Sequence, residues 1–401
     1  MSVKPSERIS RVSEYYFSAR LDQIRQMEER GIDVINLGIG SPDTPPAPEV
    51  INNAVESIYL NGSHSYQPYR GVRELREAFG EWYKMRYNVS FDPESEILPL
   101  LGSKEGIMHI SMAFLNRGDG VLVPDPGYPA YAAAARLCSA RCIYYDLTSE
   151  NGWMPDPEHI EKTGVEGVKL MWVNFPNMPT GKRASRDLFD KLVDFGRRNN
   201  ILIVNDNPYG QILNDHPLSI MESEGSMETA MELNSLSKSH SMAGWRIGMV
   251  GGSKEYIDYI LRVKSNMDSG MFLPLQRAAI AALRLPDSWT LELNRMYRER
   301  RETVYALLER LGCRFEDGQT GMFVWARIPD GHTCSMDFSD YLLDRFALFI
   351  TPGAVFGANG KGYVRISLCN PVEKIEEAVA RVNARHEGES VKENVTLLSG
   401  I

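Results

Sequence analysis

The sequence predicts an α/β protein. A large domain is built on a mostly parallel sheet with helices on both faces, and a smaller α+β domain follows. Three observations carry this. From about residue 48 to 285, short apolar runs alternate with helix-period stretches. The runs are apolar almost throughout, as expected where helices cover both faces of a parallel sheet. A long charged segment at 288–311 then separates this pattern from a second set of strands and helices.

The elements follow in order. Residues 10–30 read as an amphipathic helix closed by Gly31. A short strand at 34–37 leads into Gly38-Ile39-Gly40-Ser41-Pro42-Asp43. Strands are expected at 96–101, 120–123, 169–174, 201–205, 232–235 and 246–250, with helices at 72–83 and 107–115 among those between them. The segment 288–311 reads as a connecting helix. Beyond it come a strand at 321–328, a helix at 337–346, a strand at 363–368 and a last helix at 372–385. Residues 387–401 have no clear pattern and read as a loose or packed-over tail. Three units result: residues 1–47 complete the small domain, 48–287 form the large one, and 288–401 hold the connecting helix and the rest of the small domain.

Composition narrows the function classes. The 401 residues exceed one compact domain, and 43 % hydrophobic residues supply a large core. A net charge of −9 with no basic face argues against a nucleic-acid partner. No apolar run reaches the roughly 18 residues that span a bilayer, and the polar start lacks a signal-peptide core, so no membrane partner is expected. The five cysteines, at 138, 142, 313, 334 and 369, are odd in number and scattered. That suits a reducing cytoplasm, not a disulfide framework. Cys138 and Cys142 are four apart, as on one helix face, and read as buried apolar residues. No metal site is expected.

The chemistry is concentrated in Ser235-Leu236-Ser237-Lys238-Ser239-His240-Ser241-Met242-Ala243-Gly244-Trp245-Arg246. A lysine among hydroxyls can form a Schiff base with a carbonyl cofactor, and an arginine fork eight residues on can clamp its phosphate. Gly102-Ser103-Lys104-Glu105-Gly106 follows a strand and opens a helix, where small residues let backbone N–H groups approach an anion. It can equally be an ordinary strand-to-helix turn. Pro124-Asp125-Pro126-Gly127-Tyr128-Pro129-Ala130-Tyr131 follows another strand and offers either an aromatic plane or a plain Pro-rich turn. Asp206-Asn207-Pro208-Tyr209 ends a third strand, where an acid can also serve as a helix cap.

In order and spacing these segments resemble the class I/II aminotransferases of pyridoxal phosphate (PLP) enzyme fold type I, over about residues 30 to 385. The shared motifs look most like the LL-diaminopimelate aminotransferase group. The resemblance implies the fold type I architecture, with a seven-stranded large-domain sheet, and PLP as cofactor. It makes Lys238 the Schiff-base lysine and proton carrier. Gly102, Ser103, Lys104, Ser235, Ser237 and Arg246 would surround the phosphate. Tyr128 would stack on the ring, Asp206 would face its nitrogen, and Tyr209 its 3-oxygen. Tyr66, in Tyr66-Gln67-Pro68-Tyr69-Arg70-Gly71, would reach the phosphate of a partner subunit, so the resemblance implies a homodimer with shared sites. Arg365 would bind the substrate carboxylate together with the backbone of Ile39 and Gly40, and Phe356 would wall the pocket. The implied reaction is ping-pong transfer of an amino group between an L-amino acid and a 2-oxo acid. Diaminopimelate, alanine and aspartate are the candidate donors. A PLP-dependent carbon–sulfur lyase or decarboxylase of the same fold is the alternative.

One departure stands out. The family has Asn directly before Pro-Thr-Gly as a donor to the 3-oxygen, and here Met178 occupies that place. Either Asn177 takes over the contact or Tyr209 carries it alone. Lys264 and Asp268 either face a neighbouring subunit's substrate or are solvated. Tyr15 and Tyr16 either line the entrance or pack.

Overall fold

The computed structural model describes residues 3–12 and 16–384. Thirteen strands fall into three sheets among these residues. The strands are β1 (Ile35–Asn36), β2 (Ile97–Leu100), β3 (Gly120–Asp125), β4 (Arg141–Asp146), β5 (Val168–Val173), β6 (Leu202–Asp206), β7 (Ala230–Ser235), β8 (Gly248–Gly252), β9 (Arg314–Phe315), β10 (Phe323–Arg327), β11 (Leu348–Phe349), β12 (Thr351–Pro352) and β13 (Tyr363–Ser367).

Seven strands form the large sheet in the order β2-β8-β7-β6-β5-β3-β4. All run parallel except β8, which is antiparallel to both its neighbours. Strands β2, β3, β6, β7 and β8 are buried at every position. Two apolar clusters cover the two faces. One holds Leu98, Val121, Leu170, Val204 and Leu233, and the other Ile97, Leu122, Met171, Ile203 and Met249. This explains why the strands read as unbroken apolar runs. The helices start and stop on local signals. Ser185 caps Arg186–Asn199 through the Leu188 N–H, and Asn200 ends it in the left-handed conformation at φ 53°.

The edge strand β4 was not expected. Its sequence, Arg141-Cys142-Ile143-Tyr144-Tyr145-Asp146, is half-exposed, so it lacks the apolar run that marks its neighbours. Cys142 therefore lies on a strand while Cys138 ends a helix, and the two do not share a helix face. The first long helix runs Tyr16–Glu29 instead of starting at residue 10, behind a short 3-10 turn at Ile9–Arg11. Tyr15 and the tail at 387–401 lie outside the described residues.

The connecting helix runs Asp287–Arg310. Beyond it, β12-β13-β10-β9 form an antiparallel sheet, and β1 pairs in parallel with β11. The segment after β1 is laced to this sheet, since Ser367 N–H donates to Leu37 O and Thr351 Oγ1 donates to Gly38 O, both at 2.8 Å. The N-terminal segment thereby lies against the strand that carries Arg365.

Candidate active site

A cavity of about 540 Å³ opens beyond the carboxyl ends of the parallel strands, between the large sheet and the β12-β13-β10-β9 sheet. Open α/β sheets gather their ligands at this end. Of the residues singled out from sequence, it is lined by Ile39, Gly40, Ser103, Lys104, Tyr128, Asp206, Tyr209, Ser235, Ser237, Lys238, Arg246, Phe356 and Arg365.

Strand ends place the large-sheet group. β7 ends at Ser235, whose hydroxyl caps the short helix Leu236–Ser239 by accepting from Ser237 N–H at 3.2 Å. Lys238 therefore leaves the first turn after the strand and points into the cavity, where its Nζ donates to the Gly40 carbonyl. Burial lowers its pKa; Cys369 opposes this in part, while the charges of Arg365 and Arg246 add to the lowering. The result favours a neutral, nucleophilic amine. Arg246 adopts φ 56° and donates to Ala243 O at 2.9 Å and Ser237 Oγ at 3.4 Å. Gly102, at φ 85°, lies directly against it, and an added Cβ would strike the guanidinium. A side chain there would displace the arginine as well as strain the backbone.

Asp206 ends β6 and is 3 % exposed. Its Oδ2 accepts from Tyr131 Oη at 2.9 Å, while its Oδ1 is buried with no hydrogen-bond partner among the described residues. Burial raises its pKa to about 7, although the Tyr131 and Ser103 hydroxyls pull the other way. Tyr131 is in turn stacked on Trp172 at 5.0 Å and 7°. Tyr128 meets Tyr131 edge-on at 5.6 Å.

The opposite wall carries Arg365 on β13. It is 5 % exposed, donates from Nη2 to Gly38 O at 2.8 Å and from Nη1 to Met178 Sδ at 3.2 Å. Its guanidinium carbon lies 3.9 Å from the Phe323 ring centre, 4.7 Å from Phe356 and 5.6 Å from Phe17. Aromatic faces hold the buried guanidinium in place, and its fork suits an anionic partner such as a carboxylate. Gly40 packs so tightly that a Cβ would enter the Phe323 ring.

Three sequence-derived candidates lie outside the lining. Gly102 stands behind Arg246. Asn177 is spent on its own turn: its Oδ1 accepts from Thr180 N–H and Oγ1–H at 3.2 and 2.8 Å, and its Nδ2 donates to Asn174 O at 3.2 Å. Tyr66 is 89 % exposed on the surface of this chain. Lys264 is neither solvated nor in the cavity. It is 2 % exposed and ion-paired with Asp268, in a cluster where Glu105, His109 and Asp268 bring acceptor atoms within 4.8 Å of one another.

Sequence reasoning missed Asn174, Tyr131, Phe17, Leu21, Met178 as a lining residue, and Phe323. Tyr131 stood in the aromatic loop already singled out. Phe17 and Leu21 come from the N-terminal helix, and no local signal marks which side chains reach the cavity.

The residues fit a planar phosphorylated pyridine. An arginine, a lysine and serine hydroxyls surround the N-terminus of helix Ser103–Phe114, which suits a dianion. The orphaned Asp206 oxygen suits a ring N–H. The class I and II aminotransferase family model matches residues 32–382. The chain belongs to that family. An LL-diaminopimelate aminotransferase of Oleidesulfovibrio alaskensis is 41 % identical over 381 residues, spanning 94 % of this chain and 98 % of the relative. One from Aquifex aeolicus is 38 % identical over 380 residues, 94 % of this chain and 98 % of its own. Among solved structures, apo BacF of Bacillus subtilis superposes with a TM-score of 0.92 at 37 % identity, covering 95 % of this chain and 98 % of that one. This aminotransferase is thus a PLP-dependent enzyme of fold type I.

Proposed function

We propose that transamination here runs between an L-amino acid and a 2-oxo acid with the following division of labour. The observation that carries it is the facing of Lys238 and Arg365 across one cavity, each held on a carbonyl of the 38–40 segment. Arg246, Ser103, Lys104, Ser235 and Ser237 hold the cofactor phosphate, with Gly102 giving them room. Tyr128 stacks on the ring, Tyr209 serves the 3-oxygen, and Asp206 receives the ring N–H. When bound, PLP supplies a carbonyl carbon and an electron-withdrawing ring. Arg365 takes the substrate carboxylate as a two-pronged donor, with Ile39 and Gly40 beside it and Phe356 as a wall. That grip fixes the Cα–H bond toward Lys238. The Lys238 amine, whose charged form burial disfavours, takes the proton from Cα. Asn177 is not assigned a contact, because it lies outside the cavity lining and its Oδ1 closes the turn to Thr180.

LL-diaminopimelate is the first donor to test, because relatives covering nearly the whole chain carry that name. One observation favours a second class. Beyond the groups assigned above, the lining is mostly apolar, with Phe17, Leu21, Met178 and Phe323 in it and Tyr131 and Asn174 as polar members, and Asp206 is the only acid lining the cavity among the described residues. A donor with a distal ammonium needs an acid, whereas an apolar side chain does not. The two readings separate on a panel of single amino acids added to the PLP-loaded protein with 2-oxoglutarate or pyruvate. Turnover of diaminopimelate alone supports the first, turnover of leucine or phenylalanine the second, and none in any arm refutes transamination as the activity. Product formation without an added oxo acid would favour the lyase alternative.

The homodimer belongs to the same proposal. Ile51, Val55, Ile58, Tyr59, Leu60, Tyr66, Met267 and Phe272 are exposed on helix Pro48–Ile58, the loop after it and the segment before helix Leu273–Leu283, and the two helices pack together. So much apolar surface in one band suits burial by a second copy. Such burial would bring Tyr66 to the partner's site. The three-part domain division at 47/48 and 287/288 is likewise our reading.

A further inference from the structure

We propose that Glu232 is a positioning residue for Asp206. It grips the residues on either side of Asp206 and so fixes where that carboxylate points. The inference rests on the reading of Asp206 as the partner of the cofactor ring.

Glu232 lies on β7, beside the end of β6, and is 0 % exposed. Side chains alternate along a strand. Asn205 on β6 and Asn207 just beyond its end therefore leave on the face opposite to Asp206, and both reach Glu232. Asn205 Nδ2 donates to Oε2 at 3.0 Å and Asn207 Nδ2 to Oε1 at 3.2 Å. Tyr83 Oη donates to Oε1 at 3.0 Å and Ile220 N–H to Oε2 at 3.1 Å. Each oxygen thus takes two donors, all from neutral groups. Such a set favours the carboxylate form, against burial, which pushes its pKa up. Asp206, Tyr83 and Tyr87 are the titratable groups that feel it.

The grip extends one strand further. Asn205 Oδ1 accepts from Phe175 N–H at 3.0 Å, which pins the turn after β5. That turn holds Asn174, whose Nδ2 donates to the Asp206 carbonyl. Glu232 therefore anchors both backbone segments around the cofactor-facing acid, without touching the cavity itself.

Glu232→Gln preserves shape but replaces one acceptor by a donor. Two of the four donors then face an NH₂ group. Asn205 cannot turn its amide to compensate without releasing Phe175. The test measures PLP affinity of the apo-protein against pH, alongside thermal stability. The expected result is about tenfold weaker PLP binding, since buried donors lose their acceptor. The pH midpoint of that affinity should also move down, because the lost charge had raised the Asp206 pKa. Tyr83→Phe should change affinity in the same direction by less. Leu342→Ala, in the remote helix Ser335–Phe346, should lower stability and leave affinity within about twofold. Unchanged affinity or midpoint in a folded Glu232→Gln protein overturns the proposal, as does an equal loss of affinity in Leu342→Ala. If Glu232→Gln does not fold, Tyr83→Phe decides, and wild-type affinity there overturns it. Asp206→Asn is run in parallel. If it binds PLP normally, the reading of Asp206 is wrong. If it binds weakly while Glu232→Gln does not, only the present inference falls.

Discussion

The two walls of the cavity are built differently. The large-sheet wall is a row of strand ends, and each contributes a polar or charged group within a few residues of its last strand position: Asp206 at the end of β6, Ser235 to Lys238 at and after the end of β7, Ser103 after β2. The opposite wall has one cation, Arg365, and its neighbours there are the aromatic rings of Phe17, Phe323 and Phe356 and the sulfur of Met178. On the proposed roles, one side would handle a highly charged cofactor that stays, and the other small substrates that must come and go. A wall with one cation in an apolar cage gives orientation by charge without gripping the rest of the molecule.

Substitutions should separate the walls. Lys238→Ala should have the largest effect, lowering kcat by about 10⁴-fold or more, since it removes nucleophile and proton carrier together. PLP should still bind through the remaining contacts, which the unbound cofactor fraction on gel filtration would report. Asp206→Asn should follow, with kcat down about 10²–10³-fold and PLP affinity weakened, as for other losses of preorganised charge. Arg365→Ala should act on the other wall alone. It should lower kcat/KM about 10²-fold, mostly through KM, with PLP affinity unchanged by titration. If it weakens PLP and amino acid alike, the two walls are not separable.

The smallest effect is on stability. His240 sits behind Lys238, 5 % exposed, and burial lowers its pKa to about 4, assisted by the charge of Arg86. The unfolded chain protonates near the ordinary 6.5, so the folded state loses stability as pH falls from 6.5 toward 4. Over that window the loss is about 3 kcal/mol. Asp206 pulls the other way. With its folded pKa raised to about 7, it costs the folded state stability as pH rises from 4 to 7. The readout is therefore a difference: the Tm penalty of His240→Gln should shrink between pH 7 and pH 4.5. A constant penalty would mean that His240 titrates normally.

The same contrast governs what the sequence made legible. Each part of the large-sheet wall is a short stretch of chain at a strand end, so local motifs pointed to Lys238, Arg246, Asp206 and Tyr128, all of which line the cavity. The parallel core was equally plain, because strands buried on both faces leave unbroken apolar runs. The substrate wall was harder. Arg365 stood out as a cation in an apolar strand, but Phe17 and Leu21 reach it from the N-terminal helix, over a separation that periodicity does not bridge. Asn177 failed as a cavity residue for a local reason: its amide closes the turn to Thr180. Strand β4 escaped notice because an edge strand exposes one side and carries polar residues there.

Gly38 and Gly40 present their carbonyls to Arg365 and Lys238. Those oxygens act as resident understudies, already filling the roles an incoming ligand wants. Occupation of the cavity is then an exchange of acceptors, and only a better acceptor gains by it. A carboxylate outbids a peptide carbonyl through its charge. An amino-acid amide offers Arg365 no more than the oxygen it already has. On the proposed roles of Arg365 and Lys238, the backbone of this one segment would set a threshold that admits free amino acids and turns away their amides and esters.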